Sequence, residues 1–184
     1  REGRNPEGKN RIAKKVAELI ENGDTIMLDS STTALFVARH LKEKSRVTLI
    51  TNSIRIPVEI AGNGGDIEVI VTGGTLRSNS MSLVGKRTAD MLDRYFVNKA
   101  IISCKGMDPA LGTFEPHEGE AEVKKKMRDN AELLILAADY TKFNRKSFTK
   151  TMETGQIDIL VTDRRLPPEE EERLKRQNVR VIYA

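Results

Sequence analysis

Four consecutive hydroxyl side chains stand where a strand should end and a helix should begin. Thr25 to Leu28 is an apolar run, Asp29 follows it, and residues 30–33 are Ser, Ser, Thr and Thr. From Ala34 onward apolar residues recur at helical spacing, which predicts a strand, a tight loop and a helix start. A helix start offers free backbone N–H groups and a partial positive charge, so it suits a phosphate or carboxylate. The alternative is that a hydroxyl simply caps the helix.

Other apolar runs also end in polar or glycine-rich loops. In an open α/β sheet, ligands bind beyond the carboxyl ends of the strands, where these loops converge. The loops supply the candidates Asn52, Gly73, Gly74, Arg77, Lys105, Asp139 and Lys142. This convergence indicates a binding site more specifically than any single motif does.

Each of these candidates also has an ordinary structural explanation. Gly73–Gly74 permits close backbone approach to a ligand, or forms a simple turn. Arg77 can clamp an anion with two parallel hydrogen bonds, or remain a surface arginine. Asn52 can bind sugar hydroxyls or cap the next helix. Asp139 and Lys142 can hold a polyol and an anion, or pair with each other across the loop.

Four more residues invite a chemical interpretation. Glu120 and Lys124 lie one helical turn apart, so they either form an ion pair or face the ligand loops. His117 stands among carboxylates, but a transition-metal site usually needs several His or Cys ligands, so we expect no metal. Cys104, the single cysteine, lies in an apolar run and should be a buried structural thiol. Walker A, dinucleotide-fingerprint and nucleophile-elbow motifs do not occur, and we expect no cofactor.

The composition favours one domain that works in the cytoplasm. The chain has 184 residues, of which 32% are charged and 4% aromatic, so aliphatic side chains must fill the core. No stretch is long and apolar enough for a membrane helix, no secretory signal occurs, and a single cysteine fits a reducing compartment. The net charge is +4, and residues 1–18 hold six basic against three acidic residues. The rest of the chain is therefore an improbable nucleic-acid surface.

Strand and helix patterns alternate along the chain. Residues 1–9 are polar and predict a linker, and a helical stripe follows from Asn10 until Asn22-Gly23. The expected strands are 25–28, 47–51, 67–72, 99–104, 132–137, 157–162 and 179–183. Helices are expected near 53–61, 85–95 and 118–130, and after Pro167-Pro168. The alternation predicts an α/β fold with a mainly parallel sheet flanked by helices.

A series of short motifs covers nearly the whole chain in one order. They are Asp29-Ser-Ser-Thr-Thr33, Thr51-Asn52-Ser53, Thr72-Gly73-Gly74-Thr-Leu-Arg77, Ser82-Leu-Val-Gly85, Lys105-Gly106, Glu120-Ala-Glu-Val-Lys124, Asp139-Tyr-Thr-Lys142-Phe143 and Val161-Thr-Asp163. From about Asn10 onward this order resembles the carboxyl-terminal sensor domain of DeoR-family bacterial transcriptional regulators. The resemblance implies a sugar-isomerase-like fold, similar to ribose-5-phosphate isomerase and glucosamine-6-phosphate deaminase.

The resemblance also implies a role in regulation. Members of the family sense a phosphorylated sugar or related intermediate, and carry a winged helix-turn-helix of roughly sixty residues before the sensor. Residues 10–184 would be the effector-binding domain, and residues 1–9 the remnant of the linker. Operator DNA would be contacted only through the missing amino-terminal domain.

Carried over by position, the resemblance assigns an effector site. Phosphate would be bound by Ser31, Thr32 and Thr33, with Arg77 assisting. The complete implied set is Asp29, Ser30, Ser31, Thr32, Thr33, Asn52, Gly73, Gly74, Arg77, Lys105, Glu120, Lys124, Asp139 and Lys142. Ser31 replaces the glycine usual in the phosphate loop, which narrows access to the backbone but keeps a donor. Residues 114–119 also depart from the family pattern, and we expect this loop to set effector specificity.

Two other classes of function remain open. A sugar-phosphate isomerase or deaminase could use the same scaffold, because an acid near a lysine can move a proton at a sugar carbon. Asp139, Glu120 and Lys142 supply such groups. A pure assembly module would bind no ligand. The motif order favours a non-catalytic sensor of a repressor of sugar-metabolism genes, acting as a homodimer or homotetramer without membrane contact.

Overall fold

A seven-stranded parallel sheet forms the centre of the protein. The computed structural model describes residues 4–63 and 65–184. The strands are β1 (Thr25–Leu28), β2 (Val47–Thr51), β3 (Ile67–Val71), β4 (Thr75–Arg77), β5 (Ser82–Val84), β6 (Val97–Ile102), β7 (Gly106–Asp108), β8 (Gly112–Glu115), β9 (Ala131–Ala137), β10 (Thr149–Met152), β11 (Ile159–Thr162) and β12 (Arg180–Tyr183). The central sheet has the order β12-β11-β9-β6-β1-β2-β3, with parallel pairing throughout.

Helices cover both faces of this sheet. They are α1 (Pro6–Glu18), α2 (Thr32–Arg39), α3 (Arg55–Asn63), α4 (Lys86–Leu92), α5 (Glu118–Asp129) and α6 (Pro168–Arg176). Short 3₁₀ turns lie at Tyr140–Lys142 and Thr154–Gln156. The expected α/β architecture is confirmed. Among the described residues, no helix is both long and apolar enough to cross a bilayer.

One apolar core lies on each face of the central sheet, between the sheet and the helices that cover it. Along β1, Ile26 and Leu28 face one core while Met27 faces the other, as the alternation of strand side chains requires. Helices α1, α2 and α3 cover the first core, and α4, α5 and α6 cover the second. Because strands buried on both faces must be apolar throughout, the sequence shows continuous rather than alternating hydrophobic runs.

Two small antiparallel sheets were not predicted. One is the β4–β5 hairpin, and the other has the order β10-β8-β7. Their strands are three or four residues long, too short for a clear alternation of polar and apolar side chains. Both lie beside the carboxyl edge of the central sheet and supply Arg77 and Glu115 to the site described below.

The first helix begins earlier than the sequence indicated. Pro6 occupies its first turn, and the side chain of Asn5 accepts a hydrogen bond from the Gly8 N–H at 3.3 Å. The expectation that residues 1–9 form a linker is therefore wrong for residues 6–9, which are helical. Residues 1–3 lie outside the described part of the chain. The physical reason is that an Asn-Pro pair is a strong helix start even in a polar, glycine-containing stretch.

Candidate functional site

A cavity of about 100 Å³ lies at the carboxyl edge of the central sheet. The described residues that line it are Arg4, Lys9, Ser30, Ser31, Thr32, Thr33, Arg77, Ser103, Cys104, Lys105, Glu115, Pro116, Glu120, Lys124 and Lys142. Nine of these belong to the set predicted from the sequence. They come from the ends of β1, β6 and β9, from the β4–β5 hairpin and from α5, which agrees with the rule that parallel strands present ligand loops at one edge.

The loop between β1 and α2 is held in place from behind by Asp29. Its Oδ1 accepts the Ser31 N–H at 2.9 Å, and its Oδ2 accepts the Ser103 N–H at 2.8 Å. Ser31 caps α2, because its Oγ accepts the Ala34 N–H at 3.0 Å. Capping therefore explains one hydroxyl of the four, while Ser30 and residues 32–33 also lie on the cavity wall.

Glu120 accepts several hydrogen bonds from residues of the β4–β5 hairpin, beside the cavity. Its Oε1 accepts hydrogen bonds from Arg77 Nη1 at 2.8 Å, from Ser80 Oγ at 3.2 Å and from Ser82 Oγ. Its Oε2 accepts the Ser30 hydroxyl at 3.4 Å. Arg77 is thus already paired with a carboxylate, and its positive charge is compensated within the protein.

Lys124 lies at the floor of the cavity between two carboxylates. Its Nζ donates to Glu115 Oε1 and to the Ser103 carbonyl at 2.8 Å, and lies 3.3 Å from Asp29 Oδ2. Burial opposes its charge, but Glu115 and Asp29 outweigh burial and raise the pKa of Lys124 above its ordinary value. Glu120 and Lys124 each have other charged partners, so the structure supports the alternative in which both face the ligand loops.

The pKa of the Glu120 carboxyl lies below its ordinary value. Burial works against ionisation, but the hydrogen bond from Ser82 and the positive charges of Lys124 and Arg77 outweigh it. Glu120 is therefore ionised and Lys124 is protonated near neutral pH. Both groups are held in their charged forms by neighbours inside the protein.

Basic side chains gather on the opposite side of the cavity. Lys9 lies on the first turn of α1 and is only 4% exposed. Burial lowers the pKa of Lys9, the charges of Lys142, Arg4 and Lys105 lower it further, and Asp139 acts against them. Basic residues therefore outnumber acidic ones around Lys9, which favours an anion on this part of the cavity wall.

Five predicted residues lie beside the cavity rather than on its wall: Asp29, Asn52, Gly73, Gly74 and Asp139. Asn52 is fully buried, and its Nδ2 donates to the Leu83 carbonyl at 3.0 Å, which ties β5 to the end of β2. Asp139 is also fully buried, and its Oδ1 accepts the Thr141 N–H at 3.0 Å. These residues position the loops that reach the cavity.

Gly74, but not Gly73, needs to be glycine for the turn that precedes β4. Its φ of +135° belongs to the region that favours glycine, and an added Cβ would lie 2.1 Å from Thr88 Oγ1. Thr88 Oγ1 donates in turn to the Gly73 carbonyl at 2.6 Å. Around Gly73, by contrast, no atom of the described residues other than its chain neighbours lies within 4 Å of an added Cβ.

Four lining residues were not predicted, namely Arg4, Lys9, Ser103 and Cys104, whereas Glu115 and Pro116 belong to the loop 114–119 that was expected to set effector specificity. The rule of strand ends could have found Ser103, because it directly follows β6. Burial raises the pKa of Cys104 to about 12, so it is a protonated thiol in the cavity wall, in line with its predicted structural role. Lys9 carried no local signal, since its position in the cavity wall depends on residues distant in the chain.

His117 has a structural role at the start of α5. Its Nδ1 accepts the Gly119 N–H at 3.1 Å, which makes it the helix cap. Among the described residues, no group of three or more His, Cys, Asp or Glu side chains is arranged to hold a metal ion.

The arrangement of these elements can be compared with known proteins. Residues 4–164 match the family model described as the DeoR C terminal sensor domain. The chain belongs to this family. The DeoR resemblance seen in the motifs is thereby confirmed.

Named relatives of this DeoR sensor domain are transcriptional regulators. A Bacillus subtilis relative, the uncharacterized HTH-type transcriptional regulator YulB, is 36% identical over 94% of this chain and 66% of its own length. The HTH-type transcriptional regulator GlpR of Haloferax volcanii is 32% identical over 99% of this chain and 71% of its own. The glycerol-3-phosphate regulon repressor of Escherichia coli K12 is 30% identical over 85% and 62%. The chain groups with regulators rather than enzymes, and spans about two thirds of their length.

Solved structures share the fold at low sequence identity. Ribose 5-phosphate isomerase A from Methanocaldococcus jannaschii has a TM-score of 0.55 and 18% identity, covering 76% of this chain and 55% of that one. The translation initiation factor eIF-2B from Pyrococcus horikoshii has a TM-score of 0.53 and 22% identity, covering 78% and 50%. The expected sugar-isomerase-like fold is confirmed, and similarity of fold alone does not transfer an activity.

Proposed function

We propose that this chain is the ligand-sensing domain of a DeoR-type transcriptional repressor, and that its cavity binds a phosphorylated sugar or polyol. The observation that carries the proposal is the cavity wall, where a hydroxyl-rich helix start faces six basic side chains and only two carboxylates. Such a wall suits a small anion that also carries hydroxyls. The name of one relative, the glycerol-3-phosphate regulon repressor, agrees with this class of ligand.

In this proposal the phosphate binds at the amino terminus of α2. The backbone N–H groups of its first turn and the hydroxyls of Thr32 and Thr33 would be the donors. Arg77 would assist through its position beside the loop, although its Nη1 is already bonded to Glu120. The sugar would then lie over Lys124, Lys105 and Lys142.

Ligand binding would be transmitted through the start of α1. Arg4 and Lys9 line the cavity, and the Asn5 side chain donates to Asp163 Oδ2 at 2.9 Å, which anchors this start to the end of β11. A DNA-binding domain placed before α1 would therefore be attached beside the ligand. We propose that the ligand favours a state of a cytoplasmic homodimer or homotetramer with low affinity for operator DNA, since a switch requires unequal affinity for two states.

A thermal-shift titration tests the ligand class. Ribose 5-phosphate, glucose 6-phosphate and glycerol 3-phosphate are compared with the same compounds without phosphate, because a ligand that binds only the folded state raises the melting temperature. Thr32→Val should reduce the shift by removing one donor. Thr48→Val is the matched control, because Thr48 is a half-buried threonine near the other end of β2. Equal shifts with and without phosphate would contradict the proposal.

The shifted pKa values of Glu120 and Lys124 argue against acid–base catalysis in this cavity. A general acid or base works best with a pKa near the operating pH, whereas the pKa of Glu120 is lowered and that of Lys124 is raised. Both shifts move the groups away from proton transfer near neutral pH. Turnover of ribose 5-phosphate or glucosamine 6-phosphate by the purified chain would overturn the sensor proposal.

A further inference from the structure

Glu115 is a buried carboxylate on the cavity wall, and its two oxygens have different surroundings. It is the last residue of β8 and is only 7% exposed. Its Oε1 accepts a hydrogen bond from Lys124 Nζ. No hydrogen bond reaches its Oε2 from the residues that the structure describes, and Oε2 is not one of the fully enclosed polar atoms that lack a partner. Oε2 is therefore an acceptor that a molecule in the cavity can reach.

The strand β8 and the helix α5 hold Glu115 in position. β8 pairs with β7 on one side and with β10 on the other, where Glu115 lies opposite Thr149. Pro116 follows directly, and its ring fixes the backbone beyond the strand. Lys124 holds the carboxylate from α5. An acceptor fixed in this way loses little freedom when a ligand binds, so it can contribute fully to affinity.

The charges linked to Glu115 disfavour an anion at Oε2. Lys124 contacts the carboxylates of Glu115 and Asp29, and Arg77 contacts that of Glu120. Within this group, three negative side chains share two positive ones. An anionic group in direct contact with Oε2 would be repelled, whereas a neutral group that donates a hydrogen bond would be attracted.

Hydroxyl groups are donors that this wall already uses. The hydroxyls of Ser80 and Ser82 donate to Glu120 Oε1, and that of Ser30 donates to Glu120 Oε2 at 3.4 Å. Within the protein, serines thus satisfy one carboxylate of the wall. A hydroxyl of the ligand can satisfy the other carboxylate, that of Glu115, in the same way.

We propose that Glu115 determines effector specificity by accepting, through Oε2, a hydrogen bond from a hydroxyl group of the sugar. This inference rests on the proposed function and deepens it. The phosphate supplies affinity at the start of α2, and Glu115 distinguishes a sugar or polyol phosphate from a phosphate ester that carries no hydroxyl. The specificity expected of residues 114–119 is thereby assigned to one side chain.

Calorimetric titration of the 184-residue chain and of Glu115→Gln tests this inference. The probes are ribose 5-phosphate, glucose 6-phosphate and methyl phosphate, which has the same ester group and no hydroxyl. Glutamine keeps an oxygen for Lys124 but removes the negative charge. The tighter-binding sugar phosphate should lose affinity about tenfold, since a charge-assisted hydrogen bond becomes a neutral one. Methyl phosphate should bind no more weakly than before, because the substitution only removes a negative charge from the wall.

Monodeoxy analogues of the tighter-binding sugar phosphate identify the hydroxyl. One analogue should bind the wild type about tenfold more weakly than its parent sugar. The same analogue and its parent should bind Glu115→Gln with similar affinity, because removing either partner of one hydrogen bond makes removal of the other nearly neutral.

The control is Glu132→Gln. Glu132 is an exposed glutamate near the amino end of β9, away from the carboxyl edge of the sheet, and its substitution should change no affinity. Thermal melting without ligand establishes that Glu115→Gln is folded. If it is not, Glu115→Asp replaces it, because the shorter side chain keeps the charge, withdraws the acceptor and should cause the same selective loss.

The outcomes separate this inference from the proposed function. An equal loss of affinity for methyl phosphate and sugar phosphates, or no loss for either, would overturn the role of Glu115 and leave the sensor proposal standing. Losses that add independently for every deoxy analogue would have the same consequence. Failure of every phosphorylated probe to bind would overturn the sensor proposal and this inference with it.

Discussion

The cavity contains buried lysines in two different electrostatic environments. One is its floor, and the other is its cationic end, which is lined by Arg4, Lys9, Lys105 and Lys142. At the floor, Lys124 lies between Glu115 and Asp29, and its pKa is raised. Near Lys9, burial lowers the pKa of its side chain, Asp139 acts in the opposite direction, and the positive charges of Lys142, Arg4 and Lys105 lower the pKa further. The same type of side chain is thus stabilised as a cation in one place and destabilised in the other.

The difference separates structural from ligand-binding charges. A buried charge with partners inside the protein contributes to the folded state and leaves its neighbours unsatisfied when it is removed. Where basic residues neighbour one another, each positive charge is opposed by the others, so removing one of them should cost the fold less. Substitutions at the floor should therefore change stability, while substitutions at the cationic end should change ligand affinity.

The largest effect is expected for Lys124→Met. It leaves the buried carboxylates of Glu115 and Asp29 without their cation, and breaking a buried pair in this way costs about 3–5 kcal/mol of unfolding free energy. Urea denaturation measures the loss. Lys125→Met, an exposed neighbour on α5, serves as control, and equal stability of the two variants would remove the distinction between floor and surface.

Glu120→Gln should cost about 1.5–3 kcal/mol near neutral pH, because charge-assisted hydrogen bonds from Arg77, Ser80 and Ser82 are weakened. The lowered pKa of Glu120 in the folded state adds stability above its unfolded value of 4.5, and this stability is lost as pH falls through the folded value. The gap between wild type and variant should therefore narrow from about pH 7 to about pH 3. A gap independent of pH would contradict an ionised Glu120.

Gly74→Ala should cost about 1–3 kcal/mol, because the φ of +135° is strained for alanine and its Cβ would contact Thr88 Oγ1. Gly73→Ala is the internal control, since its added Cβ would have open space within the described part of the chain, apart from its own chain neighbours. The melting temperatures of the two variants show whether the turn before Arg77 requires glycine at position 74 alone or at both positions. Equal melting temperatures would show that the turn tolerates a side chain at either position.

The smallest effect on stability is expected for Lys142→Gln. Removing one cation from a group of like charges should change the ligand-free unfolding free energy by no more than about 0.5 kcal/mol. Urea denaturation measures the unfolding free energy of this variant and of Lys146→Gln, in which an exposed lysine of the same loop is replaced. A loss as large as that of Lys124→Met would place Lys142 in the structural network instead.

Long elements were predictable because their signals are local. The strands 25–28 and 47–51 match β1 and β2, and the helix predicted at 118–130 differs from α5 by one residue. The three-stranded sheet of β7, β8 and β10 was missed, since its strands have three or four residues and pair across a long separation. The helix start at Pro6 was missed because a polar stretch was interpreted as a linker.

The candidate site was predictable as far as it follows the ends of strands. Residues 30–33, Lys105 and Lys142 reach the cavity because each follows a parallel strand. The strand-end rule could not separate residues on the wall, such as Thr32, from those behind it, such as Asp29. Which side of a loop faces the ligand depends on hydrogen bonds to other loops, and these are invisible along the chain.

The order of apolar and polar residues alone determined the α/β architecture and the edge where polar loops meet, and the resemblance of the short motifs indicated the family. Tertiary structure decided which charged residues become neighbours. It placed Lys9 of the first helix near Lys142 and Lys105, and it placed Glu115 against Lys124. Electrostatic energy depends on distance and burial in three dimensions, whereas hydrophobic periodicity is a local property of the chain.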